Sequence, residues 1–213
     1  MKRQMANDIV FTIGHSTHPL EQFIALLKQH GITALCDVRS RPYSRFNPQF
    51  NRENLQQSLR DCGIAYVYLG EELGARSEDA SCYDHGKVQY DRLAQTDLFR
   101  KGLDRVRKGI SDYHLALMCA EKDPMECHRA ILIARHLEAL EISVQHILAD
   151  GSLESHEKIL SRLLRQLRLP EQDMFRSREA VIEEAYKRQG ERIAYEEGEA
   201  SSGEAELIEG ISR

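Results

Sequence analysis

The sequence predicts an α/β fold, a three-layer α/β/α arrangement around a mostly parallel sheet of about five strands, with a helical extension at the C-terminus. Three observations predict it. Short, nearly continuous apolar runs recur between Ile9 and Leu167, amphipathic stretches separate them, and capping signals mark the helix ends. Unbroken apolar runs, rather than strict alternation, suit strands that helices cover on both faces.

The elements follow in order. Ile9–Ile13 is the first strand and Pro19–His30 the first helix: Pro19 has the fixed φ of a first helical turn, Glu21 answers the exposed amides, and Gly31 supplies a left-handed exit. Ile32–Val38 is the second strand, and Arg52–Cys62 a helix closing on Gly63. Ala65–Leu69 is the third strand; a helix from Tyr90 to Lys108 ends before Gly109 and leads to the fourth, Tyr113–Ala120. Asp123-Pro124-Met125-Glu126 reads as a capping box that opens a helix running to Leu140. Ser143–Leu148 is the fifth strand, and Ile159, Leu160, Leu163, Leu164 and Leu167 form one stripe of a helix ended by Pro170. A last helix is expected near Ser177–Gln189. Residues 1–170 therefore read as one α/β domain and 171–213 as an extension, helical and then acidic and disordered after residue 197.

Composition narrows the function classes. With 213 residues the chain has room for one well-buried core and an appendage. No apolar run approaches the roughly 18 residues of a membrane span, and Met1–Asp8 leads into no signal-like stretch, so no membrane contact and a cytoplasmic location are expected. Five cysteines, at positions 36, 62, 82, 119 and 127 and without a C-x-x-C pair, fit reduced thiols. The net charge of −5 sits in the tail: residues 190–213 carry seven acids and two bases, leaving 27 of each sign before them. A neutral body recruits no polyanion through its global field, so anion binding must come from local clustering.

Ligands of parallel α/β sheets bind outside the carboxyl ends of the strands. There the sequence places Gly14-His15-Ser16, then Asp37, Arg39, Arg41, Ser44 and Arg45, then Glu121 and Cys127-His128-Arg129. The guanidinium forks of Arg39, Arg41, Arg45 and Arg129 match phosphate or carboxylate; alternatively Asp37 and Arg39 satisfy each other. Gly14, His15 and Ser16 are candidates to turn backbone amides toward an anion. Cys127, in the first turn of a capped helix beside His128 and Arg129, is the candidate reactive thiol, with an inert core residue as the alternative. Cys119 and Cys36 read as core, Cys62 and Cys82 as incidental. A metal site from His15, Cys119, Cys127 and His128 with Asp37 or Glu121 is conceivable, although no zinc spacing is present. His146 reads as a satisfied core histidine, His156 as a helix-start surface residue, and Lys158, Arg162, Arg165 and Arg168 as a basic ridge that meets phosphates or only solvent.

Taken together, Thr12-Ile-Gly-His-Ser16, Asp37-Val-Arg39 with Pro42 and Ser44-Arg45, Leu69-Gly70 with Leu73-Gly74, Leu117-Met-Cys-Ala-Glu121 and Cys127-His-Arg129 resemble the uncharacterised bacterial family catalogued as domain of unknown function 488. The resemblance runs from Ile9 to Leu167 and extends to Glu184-Ala-Tyr186 and Ile193-Ala-Tyr195; the acidic end after Gly198 departs from it. It implies an α/β fold and a rim built from these motifs, and brings no activity with it.

Three functional readings follow. The first is a small enzyme acting on a phosphate-bearing or other anionic substrate, such as a nucleotide or nucleic-acid component. Cys127, Glu121 and His15 would be catalytic, and Gly14, Ser16, Asp37, Arg39, Arg41, Ser44, Arg45, His128 and Arg129 would hold the anion; no metal is assigned and the cofactor is left unnamed. The second is a non-catalytic nucleotide or nucleic-acid binding module, and the third a metal-dependent enzyme.

Overall fold

A computed structural model describes residues 8–197 except residue 172, so the acidic end after residue 197 lies outside the described residues. β1 (Ile9–Gly14) leads through α1 (Leu20–Gln29) to β2 (Ala34–Asp37), and α2 (Arg52–Asp61) to β3 (Ala65–Tyr68). After α3 (Gly70–Leu73) come a hairpin of β4 (Tyr83–Asp84) and β5 (Lys87–Val88), then α4 (Tyr90–Leu93) and α5 (Asp97–Gly109). β6 (Leu115–Cys119) precedes a π-helical segment, Arg129–Ala134, continued by α6 (Arg135–Glu138). β7 (Ser143–Ile147), β8 (Leu153–Ser155), α7 (His156–Gln166) and α8 (Arg178–Ile193) follow.

The main sheet has the order β3-β2-β6-β1-β7-β8. Its first five members run parallel and β8 pairs antiparallel with β7. Period-two alternation divides the side chains between two layers. Ala34, Cys36, Val38, Leu115, Leu117 and Cys119 join Phe99, Leu103, Val106 and Leu137 of α5 and α6. Leu35, Ala116 and Met118 face the other way, onto Phe23 and Leu27 of α1 and Leu55 and Leu59 of α2. The fold is therefore the expected three-layer α/β/α, with α7 and α8 packing together through Leu163, Leu164, Val181 and Ala185. No helix among the described residues is long and apolar enough to cross a membrane.

Four local readings are corrected. The antiparallel strand β8 was not anticipated, being only three residues long. The helix expected over Tyr90–Lys108 breaks at Thr96, whose hydroxyl accepts from the Phe99 amide and caps α5. β3 lies at the sheet edge and is partly exposed rather than covered on both faces.

The fourth correction matters most for function. Asp123 does accept from the Met125 amide, at 2.9 Å, but it caps only a short turn, Pro124–Glu126. Glu126 reaches outward to Arg192 instead of closing a capping box. The chain straightens at Cys127 (φ −138°, ψ 139°) and turns helical at His128 (φ −58°, ψ −24°). The Cys127 carbonyl accepts from the Ala130 and Ile131 amides, so Cys127 is itself the residue that caps the helix.

Candidate functional site

Parallel pairing sets the exits of β2, β6, β1 and β7 side by side on one rim. Gly14 permits the closest approach there: a Cβ on it would stand 1.9 Å from the Glu121 carbonyl oxygen. The loop after β1 is stitched to the loop after β6, with the His15 amide donating to the Cys119 carbonyl at 2.9 Å and the Ser16 amide to Ala120 at 2.9 Å. These amides are therefore engaged and do not cradle an anion, which corrects the reading of Gly14, His15 and Ser16.

Two polar clusters occupy the rim. In one, Arg39 grips Asp37 bidentately (Nε–Oδ1 2.9 Å, Nη2–Oδ2 2.6 Å), and also donates to the Phe50 carbonyl at 2.8 Å. Its Nη1 lies 3.1 Å from His15 Nε2, while His15 Nδ1 lies 2.9 Å from the Ser16 carbonyl. His15 therefore donates to Ser16 and accepts from Arg39, which fixes a neutral ring; burial, helped by Arg39, lowers its pKa to about 4. Asp37 and Arg39 thus satisfy each other, the alternative that the sequence left open, and His15, which it did not include, joins them.

The second cluster gathers Cys119 at the end of β6, Glu121 just beyond it, and Cys127-His128 at the helix start. His128 Nδ1 lies 3.6 Å from Cys119 Sγ and 3.8 Å from Cys127 Sγ, and Glu121 Oε2 lies 2.9 Å from Cys127 Sγ. One donor atom from each of the four side chains falls within 4.8 Å of all the others. His128 Nε2, 3.1 Å from the Val38 carbonyl, donates to it and so leaves Nδ1 to face the sulfurs.

Electrostatics divides these groups. Burial opposes charge on Cys127, but the Cys119 thiol, Arg129 and His128 outweigh it and hold Cys127 well below the ordinary thiol range. The Arg129 amide adds a contact to its Sγ at 3.5 Å, as the second residue of a helix does to an N-cap. Burial and the neighbouring Cys127 raise Glu121 to about 7 and Cys119 well above the ordinary thiol value. Burial lowers His128, yet Cys127 overcomes it and the net shift is upward.

Other candidates fall elsewhere. Arg129 is wholly buried and donates to the Glu121 and Lys122 carbonyls at 2.7 and 3.1 Å, so it fixes the loop carrying Glu121 rather than a ligand. Ser44 Oγ accepts from the Phe46 and Asn47 amides and shapes its own turn. Arg41 and Arg45 are exposed. The conceivable metal set is narrowed: His15 and Asp37 go to Arg39, and of the two carboxylates it is Glu121 that stands with Cys119, Cys127 and His128. A signal for this was present in the sequence as Cys119-x-Glu121 ending a strand and Cys127-His128 opening the next helix.

Across β1, His146 and His156 form a buried relay. Thr12 Oγ1 lies 2.7 Å from His146 Nδ1, His146 Nε2 lies 3.1 Å from His156 Nδ1, and His156 Nε2 lies 2.9 Å from Tyr186 Oη. His146 is a satisfied core histidine as expected; His156 is buried at the start of α7, not a surface residue. Arg162, expected on a basic ridge, is tied to Glu154 and Asp123.

A family model described as a domain of unknown function, DUF488, matches residues 19–136, more than half of the chain. The chain belongs to the DUF488 family. No curated protein and no solved structure matches it. The DUF488 match contains Cys119, Glu121, Cys127 and His128, and also Asp37 and Arg39; His15 and the residues of the histidine relay lie outside it.

Proposed function

We propose that this DUF488 protein is a small metal-dependent enzyme in which Cys119, Cys127 and His128 hold a soft divalent ion such as zinc, with Glu121 beside the open position, and that its substrate is anionic. The spacing of the donors carries this reading. Around a tetrahedral zinc, with Zn–S about 2.3 Å and Zn–N about 2.0 Å, sulfur and nitrogen donors stand about 3.6 Å apart. The two sulfur–nitrogen separations here are 3.6 and 3.8 Å. The bond from His128 Nε2 to Val38 is the outer-shell support that a metal-binding imidazole uses.

Bound by three protein donors, such an ion polarises a substrate oxygen or acidifies a bound water. Glu121, whose Oε2 lies 2.9 Å from Cys127 Sγ, would stand where a carboxylate can take a proton beside such an ion. A cleft of about 370 Å³ lies between Lys122, Asp123 and Pro124, which follow Glu121 in the chain, and Leu148, Ala149 and Asp150, with Arg162 in its lining. Lys122 there, and Arg41 and Arg45 along the rim, make no ion pair among the described residues, which favours an anionic substrate.

Elemental analysis of the purified protein tests the reading. The expected result is close to one equivalent of a transition metal in the wild type and in Glu121→Gln, with loss in Cys119→Ser, Cys127→Ser and His128→Ala. A wild type that neither retains nor binds added zinc overturns it. One observation favours a second reading, Cys127 as a covalent nucleophile: its sulfur sits at a helix N-cap with a depressed pKa. A metal-free protein whose Cys127 is alkylated faster than a peptide thiol would select that reading. Its sulfur is poorly placed for attack, since Cys127 is only 1% exposed.

A further inference from the structure

The segment after β2 carries aromatic rings that the fold leaves uncovered, interleaved with arginines. Tyr43 is 58% exposed and Phe46 40%. The Arg45 guanidinium lies over the Phe46 ring, 4.7 Å from its centroid, and Arg52 lies over the Tyr68 ring of edge strand β3 at 4.4 Å. Tyr68 Oη donates to the Ser40 carbonyl at 3.0 Å, so its ring belongs to the same surface.

Neither Arg41, Arg45 nor Arg52 pairs with a carboxylate among the described residues, whereas Arg92, Arg105, Arg135 and Arg176 on other surfaces do. The neighbouring acid, Glu53, accepts from Tyr43 Oη at 2.7 Å. The surface is also preorganised. Asn51 Oδ1 receives the Ser44 amide at 2.7 Å, the Arg52 amide donates to the Pro42 carbonyl at 3.1 Å, and Ser44 closes the turn through Phe46 and Asn47.

Exposed rings beside cations without acidic partners fit a ligand that offers both flat π faces and regularly spaced negative charge. We propose that Tyr43, Phe46 and Tyr68, with Arg41, Arg45 and Arg52, form a binding surface for single-stranded nucleic acid. Bases stack on the rings and phosphates meet the guanidinium edges. A base paired in a duplex hides its faces, so the surface discriminates against double strands. Because the body of the chain is electrically neutral, binding depends on this local cluster rather than on overall charge. The segment starts at Val38, whose carbonyl holds His128, so a strand lying on it passes beside the cluster of donors. The proposal goes beyond the metal-centre reading and does not depend on it.

Fluorescence anisotropy of the full-length protein with labelled single-stranded DNA and RNA of about 12 nucleotides, the matching duplex, and inorganic polyphosphate tests it. The single strands are expected to bind more tightly than the duplex or polyphosphate. Tyr43→Ala and Phe46→Ala should each weaken binding about tenfold. Arg41→Ala and Arg45→Ala should weaken it for every sequence and each lower the slope of log K against log salt by about one. All four positions are exposed, and unchanged thermal melting would show that the variants fold. Equal binding of polyphosphate and single strands, binding indifferent to Tyr43 and Phe46, or no binding at low salt overturns the proposal. Wild type treated with a chelator should bind the oligonucleotides as well as untreated wild type. A failure of the metal reading therefore shows itself separately from a failure of this one.

Discussion

Two groups of polar side chains flank β1, one wholly buried and one that includes the exposed Glu121, and they are arranged in opposite ways. On the β7 side, Thr12, His146, His156 and Tyr186 form a line in which every ring nitrogen meets one partner. A proton order running either from Thr12 to Tyr186 or back again satisfies the line with both rings neutral. On the β6 side, Cys119, Glu121, Cys127 and His128 turn their donor atoms onto one point. A line of hydrogen bonds rigidifies a fold, whereas donor atoms gathered at one point, although they also hydrogen-bond to one another, have the spacing that suits a bound ion. Geometry rather than residue type distinguishes the two clusters, since each contains histidine.

The largest difference between the two clusters is expected in the metal dependence of stability. Zinc at about a thousandfold above its Kd should stabilise the wild type by about 4 kcal/mol in thermal melting, and this gain should vanish in Cys127→Ser and persist in His156→Phe. An equal response in both variants would erase the distinction between the clusters.

Next in size is His156→Ala, which leaves His146 Nε2 and Tyr186 Oη without partners and should cost about 1–3 kcal/mol in urea unfolding while the metal content stays unchanged. Gly14→Ala should cost a comparable amount, about 1–3 kcal/mol, because its methyl group meets the Glu121 carbonyl oxygen; it should also lower zinc affinity by displacing that loop.

The relay should leave its mark on acid stability. Burial lowers His156 from 6.5 to about 4 and holds His146 well below 6.5. The unfolded chain therefore binds more protons in this window, and stability falls as pH drops from about 6.5 toward about 4. His156→Phe should flatten the urea midpoint against pH over that range; an unchanged slope would assign the acid sensitivity elsewhere, His15 included. The smallest effect is expected far from both clusters, where Thr96→Ala should cost about 1 kcal/mol through loss of the α5 cap.

Much of the architecture was legible because it rests on local patterns. Gly31 and Gly63 take the left-handed conformations (φ 64° and 74°) that their positions after helices called for, and each long apolar run became a strand of the parallel sheet. The cluster was legible only in part. Successive residues inside a helix diverge, yet His128 and Cys127 both face Cys119. They converge because Cys127 has the extended backbone of a cap, and only His128 is helical. The arginines misled for a related reason: side-chain charge shows in a sequence, but the carbonyls that occupy Arg129 come from the chain's path over Gly14.

Apolar periodicity, helix punctuation and the assignment of reactive side chains to strand exits came from the sequence alone, because each depends on residues a few positions apart. Bringing His15 onto Arg39, drawing Cys119 and Glu121 onto Cys127 and His128, and burying His156 against Tyr186 were decided by the tertiary structure. His15 reaches Arg39 only after β6 has inserted between β1 and β2, and Tyr186 reaches His156 only when α8 packs on α7, so no local pattern encodes those contacts.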